Sequence, residues 1–336
     1  MRFRRNETTL NNRSWLGILM LLACAPLLQG CSEKEEMTID RVRLGLALQP
    51  SSALALIASE KGYFRQNGLD VVLTDFPSGK RALVEGLLPG NVDIAVASDV
   101  PIAAAALRGE KFKLVASTFT ASNVNRVIAR RDAGIEKPAD IAGKRVATQK
   151  HSAVHYFLHL FLMENRVSES DIKLSFTRAE ELPPALEWGT IDAFSMREPY
   201  ISQAAELLPN NHVIFAAPGV YKQYDVVVAS PEMQKQSPVV IEKFLRALLM
   251  AGRFVEEHEH EAQIIVAYKL GTPVEKIASG WGEYSFQLGM GQPLLLLLED
   301  ISRWMKAEGQ ITPNFLEMMA FDGLEKVKPQ AITVFR

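Results

Sequence analysis

Hydrophobic and polar residues change their spacing along the chain in a way that predicts strands followed by helices. Val42, Leu44 and Leu46 occupy alternate positions, as in a strand with one buried face. Residues 51–66 then have the spacing of a helix that ends before an Asn-Gly pair. Further strands are predicted at 69–74, 92–97 and 112–118, and further helices at 79–88 and 101–108. This alternation favours a parallel sheet covered by helices.

A second run of strands and helices follows residue 138. Strands are predicted at 145–148, 173–176, 191–194 and 213–215, and helices at 153–165, 182–188 and 200–208. After a strand at 225–229 helices predominate, at 238–258, 261–270, 274–284, 294–307 and 315–325. The pattern therefore predicts two α/β lobes followed by a helical region.

One short motif occurs in both runs, as GNVDIA at 90–95 and as GTIDAF at 189–194. In each copy glycine suits the left-handed cap after a helix, and a β-branched residue opens a strand. Ser98 and Ser195 then lie near the carboxyl ends of these strands. Because α/β sheets bind ligands where strands end and helices begin, two such edges predict a ligand cleft.

The first thirty residues have the pattern of an export signal. Four arginines precede an apolar run at 15–25, which is shorter than the roughly 20 residues of a membrane-spanning helix. The sequence LQGC, ending at Cys31, resembles the bacterial lipobox, whose cysteine is diacylated and becomes the first residue after cleavage. We expect residues 1–30 to be a lipoprotein signal peptide and 31–40 a tether to the membrane surface. Cleavage elsewhere, leaving Cys31 as a free thiol, is the alternative.

The composition excludes several classes of protein. With 336 residues, 48% hydrophobic and 23% charged, the chain can bury one large core or two medium ones. A formal charge of −2 and no basic-aromatic pattern argue against nucleic-acid binding. The sequence lacks the motifs of a nucleophile elbow, a Walker phosphate loop, a zinc peptidase and a dinucleotide-binding turn. We therefore expect neither catalysis nor a cofactor.

Polar residues cluster where the predicted strands end. The clusters are residues 49–52, 78–80, 98–99, 151–152 and 195–198. Serine hydroxyls and free N–H groups at helix starts form an anion site that requires no cofactor. Each serine also suits a plain helix cap, which is the alternative for any one of them.

Three histidines, His151, His155 and His159, recur at four-residue spacing and would share one helix face. A helix rises about 5.4 Å per turn, so the three cannot bind one ion. Since no further ligand is evident, we expect no metal site. His155 is instead a candidate hydrogen-bond donor to the cleft.

Longer motifs are similar, in type and order, to those of the substrate-binding proteins of ABC importers for nitrate, sulfonate, taurine and thiamine-pyrimidine precursors. They are ASEKGYF at 58–64, GLDV at 68–71, GNVDIA at 90–95, PADIAGKRVA at 138–147, GTIDA at 189–193 and EPY at 198–200. The resemblance covers roughly residues 41–300. It implies an α/β, two-lobed periplasmic-binding-protein fold of type II, with the ligand cleft between the lobes.

The same resemblance implies domain boundaries. Lobe one would take residues 41–121 and 225–310, and lobe two residues 122–224, with crossovers near 122–130 and 221–229. Residues 311–336 would form a C-terminal helix and tail.

The ligand positions of the group carry over to ten residues, to which the histidine pattern adds His155. The ten are Gln49, Ser78, Gly79, Ser98, Asp99, His151, Ser152, Arg197, Glu198 and Asp225. The implied protein is an exported, lipid-anchored monomer that closes on a small anionic or zwitterionic solute and is then recognised by a membrane permease.

Three alternatives remain open at this stage. The first is that the ligand is a thiamine-related pyrimidine. The second is that the protein is an enzyme similar to the hydroxymethylpyrimidine phosphate synthases. The third is that the protein is a receptor that signals to a membrane partner.

Overall fold

The computed structural model describes residues 39–335 of the chain. The predicted signal peptide, Cys31 and most of the predicted tether lie outside the described residues. Lipidation at Cys31 therefore stays a prediction. No helix among residues 39–335 is long and apolar enough to cross a membrane.

Short strands alternate with helices over most of residues 40–229, as the hydrophobic pattern predicts. The strands are β1 Asp40–Leu46, β2 Leu69–Asp75, β3 Ile94–Ser98, β4 Lys113–Ala121, β5 Arg126–Arg130, β6 Arg145–Thr148, β7 Lys173–Phe176, β8 Ala193–Met196, β9 His212–Ala216, β10 Gln223–Ala229, β11 Tyr284–Ser285, β12 Met290–Gly291 and β13 Ile332–Thr333. The α-helices are α1 Ala53–Glu60, α2 Tyr63–Gln66, α3 Gly79–Arg81, α4 Asp99–Leu107, α5 Ala153–Glu164, α6 Leu182–Glu187, α7 Tyr200–Leu207, α8 Pro231–Gln236, α9 Pro238–Glu257, α10 Glu259–Leu270, α11 Val274–Trp281, α12 Gln292–Met305, α13 Phe315–Met318 and α14 Asp322–Val327.

The strands form two main sheets. The first has the order β11-β4-β10-β3-β1-β2, the second has the order β7-β6-β8-β5-β9, and β12 pairs with β13 separately. In the first sheet β1 is parallel to β2 and β3, whereas β10 runs antiparallel between β3 and β4. In the second, β6 is parallel to β7 and β8, and β5 is antiparallel to β8 and β9. The chain passes from the first sheet to the second between β4 and β5, and returns between β9 and β10.

The expectation of a parallel sheet is wrong for β5 and β10, which run antiparallel to their neighbours. Both lie in segments predicted as crossovers, and a strand was predicted only for the second of them, at 225–229. Arg126–Arg130 is a strand of the second sheet, and Gln223–Ala229 is inserted into the first. Each contains a run of buried apolar residues. Such a run indicates burial but carries no information on the partner strand or its direction. The predicted lobe boundaries stay a prediction.

The repeated motif has the same structural role in both sheets. Gly90 and Gly189 adopt the expected left-handed conformation, with φ of 80° and 68°. Asp93 then accepts hydrogen bonds from the backbone N–H of Arg43 at 2.8 Å and from its guanidinium at 2.6 Å. In the second sheet Asp192 bonds Arg145 in the same way, at 2.8 and 2.5 Å. Each aspartate therefore joins the start of one parallel strand to its neighbour.

The main hydrophobic core contains residues of the first sheet and its helices, together with residues of the second sheet and α5. Phe244 of α9 is fully buried and its ring stacks on Phe64 of α2, with the ring centroids 5.3 Å apart. A second cluster lies under the second sheet and contains Ile128, Leu182 and Phe194. These cores hold the sheets rigid, so the loops at the strand ends can position polar side chains.

Candidate functional site

A cavity of about 140 Å³ lies between the two sheets, at the ends of several strands. The first sheet contributes Gln49, Ser78, Gly79, Lys80, Ser98, Pro101 and Gln223, and the second contributes Gln149, Lys150, Ser152, Ala153, Val154 and Arg197. Most of these residues directly follow β1, β2, β3, β6 or β8. The cavity therefore lies where α/β sheets bind their ligands.

Six of the eleven predicted ligand residues line this cavity. They are Gln49, Ser78, Gly79, Ser98, Ser152 and Arg197. A larger and more open depression of about 620 Å³, which includes His159, Arg166 and Trp304, contains no predicted ligand residue. We regard the smaller cavity as the candidate site because both sheets supply its strand ends.

On the first sheet, the start of α3 is pressed against β3. A Cβ atom on Gly79 would lie 3.0 Å from the carbonyl oxygen of Val96 and 3.2 Å from Cα of Ala97. Since real Cβ atoms rarely come so close to backbone, only glycine fits here without a shift. The hydroxyl of Ser78 accepts the N–H of Arg81 at 3.3 Å, which caps this first turn.

On the second sheet, residues 149–152 connect β6 to α5, and we call them the cavity loop. The hydroxyl of Ser152 donates to the carbonyl oxygen of Gln149 at 2.7 Å, which closes the loop on itself. The ammonium group of Lys150 lies 5.4 Å from the ring centroid of Phe176, so the aromatic face supports it. The first turn of α5 follows directly, with its unpaired N–H groups at the loop end.

The charge of the cavity lining is positive. Lys80, Lys150 and Arg197 all line it, and its described lining includes no carboxylate. The pKa of His151, next to the lining, is lowered first by burial and then by Lys150. Lys80 contributes to the same lowering. This arrangement favours an anionic ligand group.

Asp225, a predicted ligand residue, lies behind the cavity lining. It is only 1% exposed and accepts hydrogen bonds from the hydroxyl of Ser51, from Nε2 of Gln223 at 3.1 Å and from Nε2 of Gln49 at 3.5 Å. Burial raises the pKa of its carboxyl. Asp225 therefore orients two side chains that line the cavity.

Asp99 is likewise turned away from the cavity. It is fully buried at the start of α4 and accepts hydrogen bonds from the hydroxyl of Tyr221 at 2.5 Å and the N–H of Tyr224 at 2.8 Å. Burial raises the pKa of Asp99 to about 7. Its partners Tyr221 and Tyr224 flank the start of β10, so Asp99 joins the edge of the cavity to the returning chain.

The remaining three predicted ligand residues also lie off the described lining. His151 is half-buried in the cavity loop, and its N–H donates to Nδ1 of His155 at 3.2 Å. His155 is 5% exposed and packs beneath that loop. Glu198 is exposed, and its carboxylate accepts the N–H of Ser202 at 3.1 Å. Among residues 39–335 no group of three or more His, Cys, Asp or Glu could hold a metal ion.

Gln223 is the main cavity residue that sequence reasoning missed. Its Nε2 is bound to Asp225, and its buried Oε1 has no hydrogen-bond partner within the described part of the chain. A signal was present, because Gln223 lies two residues from the predicted Asp225 and so faces the same side of a strand. The pairing of β10 beside β3, which brings Gln223 to the cavity, could not be predicted from that spacing.

Comparison with known proteins identifies relatives of this chain. A Bacillus subtilis protein assigned as an aliphatic sulfonates-binding protein is 27% identical over 73% of this chain and 76% of its own length. A Haemophilus influenzae protein assigned to thiamine biosynthesis is 24% identical over 73% of this chain and 78% of its own length.

Solved structures show the same fold. The periplasmic aliphatic sulphonate binding protein SsuA of Escherichia coli matches with a TM-score of 0.68 at 18% identity, over 84% of this chain and 92% of that chain. The desulfurization enzyme DszB matches with a TM-score of 0.62 at 15% identity, over 87% and 99%. The predicted periplasmic-binding-protein fold is confirmed.

The family model for NMT1/THI5 like proteins matches residues 49–262, a segment that runs from the first cavity residue, Gln49, through both sheets and into α10. The resemblance to the substrate-binding group, carried by motifs between residues 58 and 200, is thereby confirmed. The chain belongs to the NMT1/THI5 like family.

Proposed function

We propose that this protein is the solute-binding component of an ABC importer and captures a small sulfonate in the cavity between the two sheets. The observation that carries the proposal is the convergence of Lys80, Lys150 and Arg197 on a lining without a described carboxylate. The sulfonate-binding relatives support a solute-binding role. The permease would recognise the form closed around the ligand.

The size of the cavity agrees with a small ligand. Its volume of about 140 Å³ is well below the roughly 300–1,000 Å³ of pockets that hold drug-sized molecules or cofactors. A sulfonate with a two- or three-carbon chain would bring its charged oxygens near the first turn of α5.

Two groups of residues would then form the binding site, one in contact with the ligand and one behind it. The lining residues Ser78, Ser98, Ser152 and Arg197 would contact it. Asp225 and Asp99 would hold the lining in place from behind, because their hydrogen bonds go to protein donors. Asp99 and Asp225 would therefore support the site, and ligand contact by the five predicted residues off the described lining stays a prediction.

A stability screen tests the function. A ligand that binds only the native state raises its stability by RT ln(1 + [L]/Kd), about 2.7 kcal/mol at 100 times Kd. We expect short alkanesulfonates and taurine to raise the melting temperature of the protein. Stabilisation by a thiamine-related pyrimidine alone would favour the alternative suggested by the Haemophilus relative. Turnover of a sulfinate would favour an enzyme, since DszB is a desulfurization enzyme and a variant of it has been solved with biphenyl-2-sulfinic acid.

Gln223 is expected to make the site prefer a sulfonate that carries a hydrogen-bond donor. Its Oε1 is buried without a partner among the described residues, and Asp225 fixes the orientation of the amide. A ligand that leaves a buried acceptor unpaired loses about 1–3 kcal/mol. Isethionate, with a terminal hydroxyl, should therefore bind about tenfold more tightly than propanesulfonate, its methyl counterpart. Titration calorimetry measures both affinities.

The control for this preference is Gln223→Met, which keeps the length of the side chain and removes the acceptor. It should bring the two affinities to within about twofold of each other, since no unpaired group remains to discriminate. Equal affinities of the unchanged protein for both sulfonates would show that Gln223 does not select the ligand.

We also propose that the protein is exported and anchored by lipid at Cys31. Two acyl chains hold a protein stably at a membrane surface, where it would deliver ligand to a permease. Cys31→Ser should abolish labelling by a fatty-acid analogue and leave the chain unprocessed. Labelling and intact mass are measured together in a bacterial host. Equal labelling of the variant would contradict the anchor.

A further inference from the structure

The cavity loop has a backbone conformation that depends on support from outside. His151 has a φ of 51°, in the left-handed region that non-glycine residues seldom adopt. Its neighbours Gln149, Lys150 and Ser152 all line the cavity. A change at His151 would therefore move three lining residues together.

His155 provides that support from the first turn of α5. Its Nδ1 accepts the backbone N–H of His151 at 3.2 Å, and the two imidazole rings stack with centroids 6.2 Å apart. A ring nitrogen that accepts a hydrogen bond carries no proton, so the proton of a neutral His155 lies on Nε2. The buried imidazole thus points its single acceptor at the loop.

Glu169 reinforces this arrangement on the other side of the ring. Its Oε2 lies 3.7 Å from Nε2 of His155, and its Oε1 accepts hydrogen bonds from Nδ1 of His159 at 2.9 Å and Nε1 of Trp304 at 3.3 Å. Contacts with His155, and then with His159, hold the pKa of Glu169 well below its usual range. The carboxylate therefore stays charged and favours the tautomer with its proton on Nε2.

The rings of Phe176 and Trp304 complete the enclosure. Their centroids lie 4.9 and 4.8 Å from that of His155, in edge-to-face contact. The imidazole of His155 is therefore packed against two rings in addition to its contacts with the loop and Glu169. Phe176 also lies beneath the ammonium group of Lys150, so one ring supports both the imidazole and a cavity cation.

We propose that His155 is a positioning residue for the ligand cavity, which fixes the loop 149–152 by accepting the N–H of His151. The expected change in ligand affinity rests on the proposed function. The order of the loop in the unliganded protein is a separate consequence.

Three variants test this role. His155→Phe keeps the ring but removes the acceptor, and His155→Asn places Oδ1 near the former position of Nδ1. His159→Phe is the control for indirect effects through Glu169, because it removes another partner of that carboxylate and leaves the Nδ1 acceptor of His155 in place. Amide exchange of His151, measured by NMR without ligand, reports on the loop. Calorimetry with isethionate reports on the cavity.

We expect His155→Phe to speed amide exchange at His151 by about tenfold, because it removes one hydrogen bond. The affinity for isethionate should fall by about tenfold for the same reason. His155→Asn should restore both to within about threefold of the unchanged protein. His159→Phe should alter neither. Imidazole nitrogen shifts should show the proton of His155 on Nε2.

Loss of affinity in both His155 variants, with exchange at His151 unchanged, would overturn the positioning role. So would an imidazole proton on Nδ1. If the unchanged protein binds neither isethionate nor any other short sulfonate, the proposed function fails, while the exchange and tautomer measurements still decide the role of His155.

Discussion

Replacement of Ser152 by glutamate is expected to weaken sulfonate binding by at least about 100-fold. Ser152 lines the cavity at the start of α5, beside Lys150. Two like charges 4 Å apart repel by about 4 kcal/mol at an effective dielectric constant of about 20. The cations Lys150 and Arg197 would neutralise part of this repulsion. The expected loss is therefore about two orders of magnitude rather than three.

The fold should tolerate this change. An acidic side chain at a helix start interacts favourably with the helix dipole. The substitution removes the hydrogen bond from the Ser152 hydroxyl to the carbonyl oxygen of Gln149, which is worth about 1 kcal/mol. The melting temperature of the unliganded variant should fall by only a few degrees.

Ser152→Gln separates repulsion from simple blocking, because glutamine has the size of glutamate without its charge. Calorimetry should show that the glutamine variant retains more affinity than the glutamate variant. Unchanged affinity in both would place Ser152 outside the binding site. A collapsed melting temperature in both would show that Ser152 is needed for the fold instead.

Asp99 is expected to make the protein more stable at pH 5 than at pH 7.5. Burial raises its pKa to about 7, from an ordinary value of 3.8, although Tyr221 and the backbone of Tyr224 donate to it. Between the two pKa values the native carboxyl binds a proton that the unfolded one has lost. Because this proton binds only to the native state, it stabilises the native protein. This contribution is complete below pH 4 and is lost as the pH rises through 7. Between pH 5 and 7.5 it amounts to about 2–3 kcal/mol.

The neighbouring groups define how this effect must be measured. The pKa of Asp225 is also raised by burial, which adds to the trend, whereas that of His151 is lowered, which opposes it. Glu169 has a lowered pKa and affects stability only at more acidic pH. The contribution of Asp99 is therefore the difference between the unchanged protein and Asp99→Asn, which cannot titrate.

Urea unfolding at pH 5, 6, 7 and 8 measures this difference. The free energy of unfolding of the unchanged protein should fall between pH 5 and 8 by about 2–3 kcal/mol more than that of Asp99→Asn. Parallel curves for the two proteins would show that Asp99 does not titrate in this range.

Local sequence patterns predicted much of the fold because they report on local burial and backbone conformation. Alternation at Val42, Leu44 and Leu46 predicted β1. The motif that occurs at 90–95 and again at 189–194 predicted the left-handed conformation of both glycines and the strands that follow them. Ser98 and Ser152 were placed at cavity edges because strand ends and helix starts can be identified from spacing.

Three predicted ligand residues have surroundings that depend on distant pairing, and their contact with a ligand stays a prediction. Asp99 and Asp225 follow or lie within predicted strands at the ligand edge, yet Tyr221, Tyr224, Ser51 and Gln223 surround them with protein donors. His155 was predicted to donate to the cleft, whereas its Nδ1 accepts the N–H of His151 beneath the loop. The burial of a polar side chain depends on the residues that pack over it. The position of that residue in the sequence pattern does not identify them.

The order of residues along the chain is enough to specify an α/β protein with two repeated units, polar strand ends and a resemblance to solute-binding proteins. Folding in three dimensions adds the antiparallel position of β10 between β3 and β4, which brings Gln223 beside Gln49. It also brings Lys80 together with Lys150 and Arg197 across the cavity. The physical reason is the distance along the sequence between the residues that interact. Periodicity reports on the environment of residues a few positions apart. Strand order and the convergence of charges depend on contacts between residues far apart in the sequence.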